Sequence, residues 1–108
     1  MVCAIKAKQE GNDVLILEKM NSLGKKLLIT GKGRCNITNA MPIEEFMTNI
    51  PGNSKFLYSC FQNFSNKDII NLIEEQGVKT KVERGDRVFP ESDRSQDVLN
   101  AFLDLLFK

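Results

Sequence analysis

Residues 30–36 read Thr30-Gly31-Lys32-Gly33-Arg34-Cys35-Asn36, which crowds two glycines, two cations, a thiol and a carboxamide into one short stretch. Glycine lets backbone N–H groups turn toward a ligand, and the cations add charge. This composition suits a loop that holds an anion. Lys25 and Lys26 bring the total to four positive charges within ten residues. The loop is not a P-loop, because G-x-x-x-x-G-K-[ST] is not matched. It is not a dinucleotide fingerprint either, because a third glycine is missing and no helix clearly follows. On its own residues it reads equally as a solvated turn with glycine at positive φ. RNA binding is a third reading, opposed by the lack of interleaved aromatic residues for base stacking. Cys35 has two readings as well. It is a thiol activated by Arg34, or a small half-buried residue packed near a ligand.

A second residue with chemical reach is Glu18. It follows Val14-Leu15-Ile16-Leu17, an unalternating apolar run that predicts a strand buried on both faces. Before it, Met1 to Glu10 reads as a short helix stopped by Gly11 and Asn12. A helix, a Gly-Asn turn and a strand ending in an acid form the second half of a βαβ unit. In dinucleotide-binding folds that acid accepts hydrogen bonds from ribose hydroxyls. The bland alternative is a solvated charge at a strand end. The partner glycine motif belongs about 20 residues earlier, which falls before Met1.

The elements that must position these residues follow from periodicity and punctuation. Ile43 to Ile50 predicts a helix with Pro42 at its start and Pro51-Gly52 at its end. Lys55 to Phe64 predicts another. The phenylalanines 46, 56, 61 and 64 are expected in the core. Ser65-Asn66-Lys67-Asp68 resembles a capping box, opening a helix with Ile69, Ile70, Leu72 and Ile73 on its apolar face and Gly77 after it. Val78 to Val82 predicts a strand, Arg84-Gly85-Asp86-Arg87 a turn, and Val88-Phe89 the returning arm of a hairpin. A last helix, capped by Ser95 or Asp97, runs through Val98, Leu99, Phe102, Leu103, Leu105, Leu106 and Phe107. The Arg-Gly-Asp triplet at 84–86 is a turn sequence and carries little weight as an adhesion motif.

Bulk properties bound the remaining options. The chain has 108 residues, enough for one small domain. Its net charge of +1 gives no global field for nucleic acid or anionic membrane. Three separated cysteines without histidine argue against zinc and against a disulfide scaffold. No apolar run approaches the ~20 residues that span a bilayer, and no signal peptide is evident. A cytoplasmic protein with reduced thiols is expected.

The stretch "GNDVLILEKMNSLGKKLLITGKGRCNITN" resembles the BaiN-type, aminoacetone-oxidase-like family of FAD-dependent oxidoreductases. The likeness continues through "FLYSCFQNFSNKDIINLIEEQGVKTKVERGDRVFPESDRSQDVL". The resemblance implies an α/β fold: a partial Rossmann-like FAD/NAD(P)-binding domain, truncated at both ends. Residues 1–108 would be one fragment of it, lacking the first strand and the G-x-G-x-x-G motif. It implies FAD contacts at Glu18, Lys19, Lys26, Gly31, Gly33, Arg34, Cys35 and Asn36. Glu18 would hold the adenosine ribose, and the loop would lie along the pyrophosphate or a neighbouring edge. NAD(P)H is admitted as electron donor, and a small molecule as substrate in the intact enzyme. No catalytic acid or base stands out. The competing class is a non-catalytic basic-loop module that binds nucleic acid or a protein partner.

Overall fold

In the computed structural model, which describes residues 1–108, the first helix is α1, Val2–Gln9. Gly11, at φ 83°, ends it as expected, with its N–H donating to Lys8 O. The Asn12 side-chain amide donates to Ala7 O at 3.0 Å. Left-handed φ is available to glycine at little cost, which is why the chain turns here. Ile5 is the buried residue of this helix.

The predicted strand Val14–Leu17 does not form. The segment is irregular, and no backbone group from Asp13 to Leu17 is hydrogen-bonded to another backbone group. Leu15 and Leu17 are 83% and 86% exposed, and only Ile16 packs against the core. A strand exists through its ladder partners, and no other strand of this chain lies beside the run.

The short helix α2, Lys25–Ile29, leads into a tight 3₁₀ turn at Thr30–Gly33. Strand β1, Thr38–Asn39, follows. Helix α3 spans Ile43–Thr48 behind Pro42. The predicted single helix Lys55–Phe64 is split into a 3₁₀ turn, Ser54–Leu57, and α4, Tyr58–Asn63. A 3₁₀ turn has three residues per turn, so the helical face does not carry across the junction. Phe56 is consequently 79% exposed, against expectation. Phe46 and Phe61 do meet, edge to face with centroids 5.4 Å apart. Phe64 packs against the core.

Helix α5, Asn66–Glu74, opens with the expected capping box: Asp68 N–H donates to Ser65 Oγ, and Ser65 N–H donates to Asp68 Oδ2 at 2.7 Å. Asn66 is buried and gives its side-chain amide to both Asn39 O and Met41 O at 2.8 Å. It thereby pins α5 to β1. The hairpin is β2, Thr80–Glu83, and β3, Arg87–Pro90, turning through Gly85 and Asp86, both at positive φ. The sheet is antiparallel with order β1-β3-β2, and Val88 faces both Thr38 and Val82.

The last helix, α6, is Ser95–Phe107. Neither expected residue caps it. Arg94 occupies the cap position, Ser95 Oγ donates to Leu28 O at 3.0 Å, and Asp97 accepts from Ser92 Oγ at 2.6 Å. Helix α6 packs on α1, α2, α5 and β3. The core joins Ile5, Cys35, Leu72, Ile73, Val98, Phe102 and Leu106. Burying each large apolar side chain there contributes about 1.5–3 kcal/mol. No helix is long and apolar enough to cross a membrane.

Candidate functional site

The loop 30–36 is shaped by left-handed backbone. Gly31, Lys32, Gly33 and Cys35 have φ of 56°, 57°, 86° and 64°. Gly31 has no alternative, because a Cβ there would lie 2.8 Å from Asn36 N and 3.0 Å from the Phe89 ring. For Lys32 and Cys35 the left-handed region costs about 1–2 kcal/mol each. Cys35 is held in it by its side chain, which is 4% exposed in the core, and by its N–H bond to Thr30 O at 3.1 Å. Burial pushes the Cys35 thiol up from its ordinary pKa, the opposite of activation. Both its burial and that shift favour the packing reading.

Arg34 leaves the loop in the other direction. Its Nη1 lies 3.0 and 2.9 Å from the two Glu83 oxygens and 3.3 Å from Asp93 Oδ1. Lys81 Nζ completes a lattice of two cations and two anions, 2.8 Å from Asp93 and 3.3 Å from Glu83. The lattice ties the loop to β2 and to the segment after β3. The Arg34 hydrogen bond holds the Glu83 carboxyl below its usual range, and the Lys81 hydrogen bond does the same for Asp93. The bond to Glu83 raises Arg34, and the bond to Asp93 raises Lys81. The Arg34 guanidinium also stacks over Phe89 at 3.9 Å.

Gly31, Arg34 and Asn36 line a cleft of about 390 Å³ together with Lys32, Arg87 and Phe89. Gly33 faces open space. Glu18 and Lys26 line a different cleft of about 600 Å³, between the start of α1 and α2, with Met20, Leu27 and Ile29 as its apolar wall. Glu18 also borders an adjoining groove of about 590 Å³ against Val14, Leu15 and Leu106. Its Oε1 accepts from Met20 N–H at 2.9 Å, and Oε2 has no partner. Lys19 and Lys26 are exposed and form no ion pair. Five of the eight expected residues therefore fall on two clefts with no lining residue in common, and Lys19, Gly33 and Cys35 line neither. A carboxylate with an open oxygen, beside apolar surface, can accept hydroxyl donors from a sugar whose base lies on that surface. This acceptor and apolar wall fit the ribose and base of a nucleotide.

Glu83, Lys81, Asp93, Arg87 and Phe89 were not anticipated as partners of the loop. The hairpin prediction carried the signal in part. Pairing Val82 with Val88 places Glu83 opposite Arg87.

Residues 1–108 match the family described as the HI0933-like protein Rossmann domain. The chain is 35% identical over 102 residues to the 3-dehydro-bile acid delta(4,6)-reductase of Clostridium scindens, covering 92% of this chain and 24% of that protein. It is 29% identical over 104 residues to the ribosomal RNA dihydrouridine synthase of Escherichia coli, covering 96% of this chain and 25% of the relative. The corresponding synthase of Haemophilus influenzae is 30% identical over 78 residues, 72% of this chain and 19% of its own length. The chain thus spans about a quarter of the length of the curated relatives it matches. With the glycine-cation loop and the Glu18 segment inside one continuous match, the chain belongs to the HI0933-like Rossmann-domain family of FAD-dependent oxidoreductases.

Proposed function

We propose that these residues form part of the FAD site of an oxidoreductase that saturates a carbon–carbon double bond conjugated to a carbonyl. The names of the bile-acid reductase and of the dihydrouridine synthases both describe adding two hydrogens to such a bond. When bound, FAD supplies hydride transfer, with NAD(P)H as the source of the electrons. The chain's own residues bind and orient. Glu18 accepts hydrogen bonds from the adenosine ribose through its open oxygen. Lys26, and Lys19 at the rim, balance phosphate charge. Met20, Leu27 and Ile29 cover the flat base. The loop Gly31–Asn36 lies along the cofactor, with Cys35 anchoring it to the core rather than reacting.

The observation that carries this reading is Glu18, half-satisfied and set between two clefts. The test is a chimera in which these 108 residues replace the corresponding segment of the Clostridium scindens reductase. The folded chimera is expected to purify with a flavin spectrum and to oxidise NAD(P)H when given a conjugated enone. A folded chimera without flavin contradicts the proposal.

A further inference from the structure

The cleft between the loop and the hairpin is lined by three cations, Lys32, Arg34 and Arg87, with Asn36, Gly31 and Phe89, and by no carboxylate. Its donors are uncommitted. Arg34 spends only Nη1 on Glu83 and Asp93, so Nε and Nη2 have no acceptor. Arg87 spends only Nε, on Arg84 O at 3.0 Å, which leaves both terminal nitrogens. Lys32 Nζ and the Asn36 backbone and side-chain amides have no acceptor in the chain. Phe89 is the floor, with the Arg34 guanidinium at 3.9 Å and the Arg87 guanidinium at 5.7 Å from its ring centre.

The charges do not cancel inside the cleft. Glu83 and Asp93 do not line the cleft and are matched by Arg34 and Lys81 together. Lys32 and Arg87 form no ion pair, so they remain in excess. Two planar guanidinium forks beside one aromatic ring, a free backbone N–H and an ammonium match the lone pairs of a tetrahedral or planar oxyanion. The position of Gly31 is part of the device, since a side chain there would press on Asn36 N.

We infer that this cleft is an oxyanion site, taking a phosphate or carboxylate group, in which Arg87 and Lys32 act with Arg34 and Asn36. The hairpin thus contributes a ligand-binding arginine from outside the loop motif. The oxyanion belongs either to the FAD pyrophosphate or to an anionic group on the substrate. Only the first source rests on the proposed FAD role.

The test uses inorganic pyrophosphate with the 108-residue chain, followed by amide and arginine Nε resonances. Saturable shifts are expected at Lys32, Asn36 and Arg87, weakening as salt is raised. Arg87→Gln should weaken binding about tenfold, and Lys32→Gln by a smaller factor. In the chimera, FAD that displaces pyrophosphate assigns the oxyanion to the cofactor. Pyrophosphate that still binds the FAD-loaded protein assigns it to the substrate, and both results support the site. Shifts confined to other residues, or parental affinity in both variants, overturn it. Pyrophosphate binding here in a protein that never takes up FAD would retain the site and reject the FAD role.

Discussion

The loop 30–36 and the run 14–17 sit a dozen residues apart in the chain and could hardly be held more differently. The loop is closed on itself. Its strained residues are tied by backbone bonds, its thiol is buried in the core, and its arginine is latched by two carboxylates and an aromatic ring. The run is wholly apolar in composition but has no backbone partner, and two of its four side chains are almost wholly in water. Left-handed backbone costs free energy, so it persists only where surrounding contacts over-determine it. The loop is a preorganised feature. The run is an uncovered surface with the composition of a covered one.

The largest expected effect comes from Phe89→Ala, which removes the floor under Arg34 and Arg87 and leaves a cavity beside β3. It should cost about 3–5 kcal/mol, read from urea or thermal unfolding. Gly31→Ala should follow at about 2 kcal/mol, since it forces a Cβ against Asn36 N at a left-handed φ. Restricting loss to the loop's amide-exchange protection, with the core unchanged, would sharpen the contrast between the regions.

The ion lattice should appear in the acid limb. Glu83 and Asp93 are lowered by Arg34 and Lys81, so their contribution is present above the unfolded carboxylate range. It is lost as pH falls through their lowered folded values, where the native carboxylates take up protons. Glu83→Gln should therefore flatten the fall of stability with decreasing pH. An unchanged acid limb would show that the latch holds no net charge energy. At the small end, Leu15→Ser with Leu17→Ser should alter the stability of this chain by less than about 0.5 kcal/mol, as exposed positions do. A much larger loss would mean that the run is covered after all.

Local signals in the sequence were legible wherever the structure is decided locally. Gly11 ends α1, Ser65 and Asp68 box the start of α5, and the Arg-Gly-Asp turn joins β2 to β3. The Val14–Leu17 run shows the limit of such reading. Its composition reports the burial a strand is suited to, but pairing depends on what else lies beside it. Phe56 failed for a related reason, because one 3₁₀ turn resets the helical face. Within the site, Gly31 and Arg34 were visible as glycine and cation in a loop. Their partners Glu83 and Asp93 are 49 and 59 residues away from Arg34, and no spacing rule connects them. Ser95 is the first residue of the helix and not its cap, and its hydroxyl donates to Leu28 O, a tertiary contact.

The central claim is that Glu18 holds the FAD ribose, and the most direct measurement is FAD affinity in the chimera with and without Glu18→Ala. Removing charge-assisted hydrogen bonds worth ~1.5–3 kcal/mol should weaken FAD by roughly ten- to a hundredfold. Arg34→Lys should also fall short of the parent, because an ammonium lacks the planar fork. The parent's FAD affinity in a folded Glu18→Ala protein would contradict the account and return Glu18 to a solvated surface charge.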